Sequence, residues 1–220
     1  LILAGLSVII FSCCNTEKHP EEKQQPEQST QPKNIILMIG DGMGVSHVSA
    51  ALTFKKDNLN MARCKHIGFI KTSSANQYIT DSGASATAMA TGTKTNNQMI
   101  SVDPQGNTLK TILEYAEEND LSTGLAATSF ITHATPAGFI AHNPDRHDYE
   151  GIAMDFLSSG IDFFAGGGLK HFSKRKDGLN LIDSLKAKDY EIVYDSIELQ
   201  KAGSDKIAAL LYDEHPPKYS

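Results

Sequence analysis

The chain has 220 residues, 40% hydrophobic and 21% charged, with a formal net charge of −6. That is globular composition, long enough for one sizeable core and a tail. The acidic balance argues against a nucleic-acid partner, and the densest basic cluster, "KHFSKRK" at 170–176, reads as a solvated loop.

In chain order, the apolar run from Leu1 to Phe11 comes first. It is too short to span a bilayer as a helix and fits the apolar stretch of a secretory signal. "IFSC" puts a small residue before Cys13, which resembles a bacterial lipoprotein cleavage site. The alternative is a buried apolar strand with incidental cysteines. Residues 1–13 are therefore expected to be a truncated signal or lipoprotein segment, and any membrane attachment a lipid anchor. Residues 14–33 are rich in Glu, Lys, Gln and Pro and lack large apolar side chains. They cannot bury enough surface to fold and read as a disordered tether. Three cysteines, two of them adjacent, make no disulfide framework; Cys64 reads as a structural thiol. The initial Leu1 and the polar end "DEHPPKYS" lead us to expect a fragment of a longer protein.

From residue 34 the texture changes, and 34–220 reads as one catalytic-type domain. "NIILMIGD" is a continuous apolar run of strand length. "GVSHVSAALTF" reads as a helix and "HIGFIKT" as a short strand. "SGASATAMATG" reads as a helix closed by Gly92. "TLKTILEYAEEND" is an amphipathic helix with Leu109, Ile112, Leu113 and Ala116 on one face. "LSTGLAATS" is strand-like, "EGIAMDFLSSG" helical, and "IDFFAGGG" a strand running into a glycine turn. "LNLIDSLKAKD" is helical, and "YEIVYD" and "KIAALLY" are further strands. The alternation predicts an α/β fold, a mostly parallel sheet with helices on both faces. In such sheets ligands sit beyond the carboxyl ends of the strands. That directs attention to Asp41, to residues 128–135 and to the glycines 166–168.

Asp41 lies between glycines in "MIGDGMG". Its open carboxylate suits a divalent cation, or it caps the next helix. Ser82 follows Asp81 at a helix start, where free N–H groups and the dipole favour an anion. A serine hydroxyl needs a base or a metal to become a nucleophile, and no nearby His or Lys is set up as that base. The other reading is an Asp or Ser N-cap ahead of a small-residue packing helix. The stretch 129–151 gathers His133, Thr135, His142, Asp145, Arg146, His147 and Asp148. Arg146 has the geometry to grip a phosphate with two parallel hydrogen bonds; His147 and Asp148 read as solvated loop.

Together these residues resemble the alkaline phosphatase family. "ITDSGASAT" (79–87) fits that family's nucleophile signature throughout. "NIILMIGDGMG" resembles its first strand and metal-binding Asp, "HATPAGFIAHNPDR" its next conserved segment, and "IDFFAGGGLKHF" its later glycine turn. The resemblance implies hydrolysis of phosphate monoesters through a phosphoserine at Ser82, with two zinc ions and one magnesium. It implies Asp41 as a bridging metal ligand, Ser82 at zinc, and Thr135 at magnesium. It implies Arg146 on the phosphate oxygens and Asp81 orienting Arg146. His133 would act from behind the magnesium site. It also implies a periplasmic or cell-envelope protein, dimeric at full length. The fold is expected to be alkaline-phosphatase-like and incomplete at its C-terminus. No family motif follows residue 172 and His215 fits none, so the remaining zinc and magnesium ligands are expected outside this chain and the 220 residues alone to be inactive. Two other classes stay open. One is a non-catalytic, lipid-tethered phosphate-binding lipoprotein. The other is a related metal-dependent sulfatase or phosphodiesterase, against which a serine at position 82 speaks.

Overall fold

The computed structural model describes residues 33–55 and 59–217. The expected signal segment and nearly all of the expected tether, with Cys13 and Cys14, lie outside the described residues. The chain divides between Ile39 and Gly40, and the sheet, the core and the site all belong to the part from Gly40 onward.

Four parallel strands form one sheet: β1 (Gly124–Phe130), β2 (Phe163–Gly167), β3 (Glu191–Val193) and β4 (Ile207–Tyr212), in the order β1-β2-β4-β3. β1, β2 and β4 are short runs of mostly apolar and small residues, and β3 is three residues opening on Glu191. Parallel neighbours need crossovers, and the helices between them supply these. α4 (Ala134–Ala137) and α5 (Tyr149–Ser158) lie between β1 and β2. α6 (Lys170–Ser173) and α7 (Leu181–Lys186) lead to β3, and α8 (Ser196–Leu199) to β4. Ahead of the sheet come α1 (Val45–Lys55), a 3₁₀ turn (Asn60–Arg63), α2 (Ser82–Thr91) and α3 (Ile112–Glu117). Among the described residues no helix is long and apolar enough to cross a membrane.

The core sits between the sheet and α5, α6 and α7. Phe156, Phe164 and Phe172 are fully buried with Ile152, Ile161, Leu185 and Val193. Phe156 and Phe164 meet at 4.8 Å between ring centroids, tilted by 57°, within the range where aromatic pairs attract. Tyr190 donates its hydroxyl to the Ile161 carbonyl, and burial pushes that phenol up to about 12.

Most of the expected elements form, with corrections. α3 is shorter than its pattern. Thr111 caps it, accepting the Glu114 N–H, while Glu114 reaches back to the Thr111 N–H. This box starts the helix late and leaves Ile112 exposed, with Leu113 alone buried. No strand forms over 34–40, where Ile35, Ile36 and Met38 are more than four-fifths exposed. Nor does one form over 66–72, where Ile67 and Phe69 are equally open. A strand exists through its hydrogen-bond partner, and neither segment has one among the described residues. α1 buries no residue. Cys64 is exposed, which removes the structural-thiol reading.

Candidate active site

The site begins with the small-residue run. Asp81 is the N-cap of α2 and accepts the Ala84 N–H at 2.9 Å; Gly92 ends the helix in the left-handed region (φ 73°). Gly83, Ala84, Ala86, Thr87 and Ala90 are buried. The reason for their size is α4. A Cβ on Gly138, directly after α4, would lie 2.6 Å from the Ala86 Cβ. A Cβ on Gly83 would lie 3.0 Å from the Met99 carbonyl oxygen. Larger side chains would push α4 off α2, and α4 carries Thr135.

That closeness brings three oxygens together. Ser82 Oγ donates to Asp41, 2.9 Å from Oδ2 and 3.2 Å from Oδ1. Thr135 Oγ1 donates to the same Oδ2 at 3.0 Å. Asp41 is thus a shared acceptor and does not cap α1. Ser82 occupies the first turn of a ten-residue helix, where the backbone field favours negative charge.

The second half of the site is an ion pair. Arg146 Nη1 donates to Asp81 Oδ2 at 2.9 Å, with both side chains mostly buried. The same Oδ2 accepts the Gln98 N–H at 2.9 Å, and Gln98 O accepts the Arg146 N–H at 2.8 Å. Arg146 Nε is buried with no hydrogen-bond partner among the described residues. Burial pushes the Asp81 carboxyl up; the Ala84 N–H, the Arg146 guanidinium and the Gln98 N–H outweigh that and hold it below the usual carboxylate range. Asp81 therefore has two duties, capping α2 and orienting Arg146.

His133 is the N-cap residue of α4 but makes no side-chain cap bond. Its ring lies beside Tyr149 (6.5 Å, 20°) and edge-on to His215 (5.9 Å, 66°). Burial, then Arg146 and His215, push its pKa down against the pull of Asp41. His142 lies elsewhere, its ring between the Ser101 carbonyl (2.8 Å) and Glu114 (3.0 Å). His147 is exposed, as a solvated loop would be. Asp148 corrects the loop reading: it is the N-cap of α5, accepting the Gly151 N–H at 2.9 Å and an Asn143 side-chain N–H at 2.9 Å.

Sequence reasoning missed Asn97 and Gln98. Asn97 Oδ1 accepts the Asp81 N–H (3.1 Å) and its Nδ2 donates to Ile79 O (3.0 Å). Gln98 adopts φ 77°, a left-handed turn that aims its N–H at Asp81. The only local signal was the polar run "TNNQ" after the helix.

Three comparisons bear on this arrangement. The family model described as alkaline phosphatase matches residues 32–213. The chain belongs to the alkaline phosphatase family. It is 38% identical to alkaline phosphatase 3 of Bacillus subtilis (strain 168), covering 99% of this chain and 50% of that protein. With alkaline phosphatase of Escherichia coli (strain K12) it shares 33% identity, over 76% of this chain and 43% of that protein. Among solved structures, the alkaline phosphatase from the Antarctic bacterium TAB5 superimposes with a TM-score of 0.77 and 42% identity, over 80% of this chain and 52% of that one. A His-to-Asp variant of TAB5 alkaline phosphatase, solved with Mg bound in its M3 site, matches equally well. The chain thus spans about half the length of these relatives.

As alkaline phosphatase donors, the gathered oxygens fit one metal better than the other. Asp41 and Thr135 are hard oxygen donors of the kind magnesium accepts. Among the described residues no three His, Cys, Asp or Glu side chains converge as a metal site. One carboxylate and two hydroxyls do not make the four-donor, imidazole- and carboxylate-rich sets that zinc takes.

Proposed function

We propose that this chain supplies the nucleophile, the phosphate clamp and part of a magnesium site to a phosphomonoesterase. The convergence of Ser82, Asp41 and Thr135 beside the Asp81–Arg146 pair carries the reading.

Ser82 Oγ attacks the phosphorus of a bound monoester, its proton already directed to Asp41. The P–O bond to the leaving group breaks as phosphoserine forms at Ser82, and the departing alkoxide takes up one proton from solvent, matching the one Ser82 gave up. Water then attacks phosphorus, the Ser82 Oγ–P bond breaks, Ser82 Oγ regains a proton, and inorganic phosphate leaves. Arg146 binds phosphate oxygens through the guanidinium N–H donors that Asp81 leaves free. Asp81, ionised across the working pH range, keeps the guanidinium from swinging away. Asp41 and Thr135 would hold magnesium, whose positive charge, when bound, lowers the cost of negative charge at the Ser82 oxygen. The α2 N-terminus adds its field to the transferring group. Catalysis is then charge stabilisation and positioning, with little covalent chemistry asked of other side chains.

The activity belongs, in this reading, to a polypeptide whose further residues complete the metal ligands, including two zinc ions. That polypeptide is a homodimer tethered in the bacterial cell envelope through a lipid on Cys13. The 220 residues alone turn over no substrate. The deciding experiment uses labelled phosphate on that complete polypeptide. Native protein should trap label on Ser82, and Ser82→Ala should trap none. Label retained by the variant would reject the assignment. Parallel assays on phosphate and sulfate esters separate the phosphatase from a sulfatase, and binding without turnover would return the phosphate-binding lipoprotein.

A further inference from the structure

His215 matches no family motif and is an exposed residue, yet its ring has two specific contacts, both with Phe130. Phe130 closes β1, where the register against β2 shifts between Ala126 and Phe130. Phe130 still pairs with Gly167, but the Ile131 N–H is the one that bonds Gly167 O, at 2.9 Å, so by alternation the Phe130 N–H points away from β2. Phe130 is 6% exposed, and a buried N–H without an acceptor is costly. His215 Nδ1 accepts it at 3.2 Å. The two rings lie face to face, 3.6 Å between centroids and 12° apart.

The segment bearing His215 is itself clamped. Tyr212 O accepts the Gly168 and Leu169 N–H groups at 2.9 and 3.1 Å. Lys170 pairs with Glu214 at 2.7 Å and Lys174 with Asp213 at 2.8 Å. A Cβ on Gly167 would lie 2.2 Å from the Glu214 carbonyl oxygen, so this glycine makes room for the segment to pass. Beyond Phe130 the chain turns through Thr132, fully buried and bonded to His171 Nδ1 at 2.8 Å. It then reaches His133, 5.9 Å from His215, and Thr135. Two imidazoles therefore hold the turn, His215 at its start and His171 at its middle.

We propose that His215 is a positioning residue: by stacking on Phe130 and accepting its N–H, it fixes the turn that carries His133 and Thr135. The consequence for catalysis rests on the phosphatase reading; the placement does not.

The test is NMR on the 220-residue chain, following histidine ring resonances, the Thr135 methyl and amide exchange. His215→Phe keeps a ring and removes the acceptor; His215→Gln keeps an acceptor and removes the ring. Exchange at the Phe130 amide should quicken about five- to tenfold in His215→Phe, while Phe164 and Val193 in the sheet stay protected. The His133 and Thr135 resonances should move in His215→Gln and lie nearer native in His215→Phe. Resonances of His133 and Thr135 that coincide with native in both variants, or an unchanged Phe130 amide in His215→Phe, would overturn the proposal. Mg²⁺ added to the metal-free complete polypeptide, in native form and as the same two variants, separates the two readings. Native His133 and Thr135 resonances indifferent to Mg²⁺, with the His215 effects intact, would count against the magnesium reading and leave the positioning role standing.

Discussion

Arg146 owes its orientation to one carboxylate. Asp81 spends one oxygen on the α2 cap and the other on the Gln98 N–H and Arg146. Replacing Arg146 by Ala removes charge-assisted bonds worth about 1.5–3 kcal/mol each. Phosphate affinity should therefore fall by at least about tenfold in calorimetric titration of the metal-complete protein, with metal content unchanged. Loss of metal would make Arg146 structural. His171 sets a second expectation. Burial, and then Lys170, push its pKa from 6.5 down to about 4. Between pH 6.5 and 4 the unfolded chain takes a proton that the folded chain refuses. The contribution is full above pH 6.5 and is lost as pH falls toward 4, with an upper bound of about 3 kcal/mol. Thermal melts across that window should show Tm falling with pH, and a His171→Asn variant should show a shallower slope.

At the scale of elements, the α2–α4 contact decides whether the site exists. Ser82 and Thr135 stand 53 positions apart in the chain, and they meet at Asp41 because Gly138 sits on Ala86. Gly138→Ala would place a Cβ 2.6 Å from the Ala86 Cβ, with the Thr87 N at 3.2 Å. Backbone stands close on that side, so α4 must shift. Overpacking of this kind costs about 1–3 kcal/mol, which denaturant titration would read. The Thr135–Asp41 bond should also lengthen. A variant of native stability with the Thr135 methyl resonance unmoved would show that α4 tolerates the extra carbon.

At the scale of the molecule, apolar surface is open where two strands were expected. Ile35, Ile36 and Met38 in the first segment and Ile67 and Phe69 in the second are each more than four-fifths exposed, as are Val45 and Phe54 on α1. Large apolar side chains left open to water are an aggregation liability, and the relatives are about twice as long. The 220 residues alone should bind a hydrophobic dye strongly, should show no amide protection at 35–39 and 67–70, and should hydrolyse phosphomonoesters no faster than buffer. A normal rate from this chain alone would refute the reading that further ligands are needed.

What the sequence by itself determined was local: the α/β alternation, the Gly92 stop, and the small residues around Ser82. Helix periodicity, caps and turn glycines act within a few residues, so they are readable in order. The likeness of four separated motifs to one family was legible for the same reason, since each is a short string. The strands at 34–41 and 66–72 were misread because an apolar run states only a capacity to pair, and the partner decides. Asn97, Gln98 and His215 were missed because each acts through long-range bonds: Asn97 to Asp81 and Ile79, Gln98 to Asp81 and Arg146, His215 to Phe130. Only the folded chain, closing α4 against α2 and turning the 212–216 segment past Gly167, determined which of the hydroxyls, carboxylates and imidazoles meet.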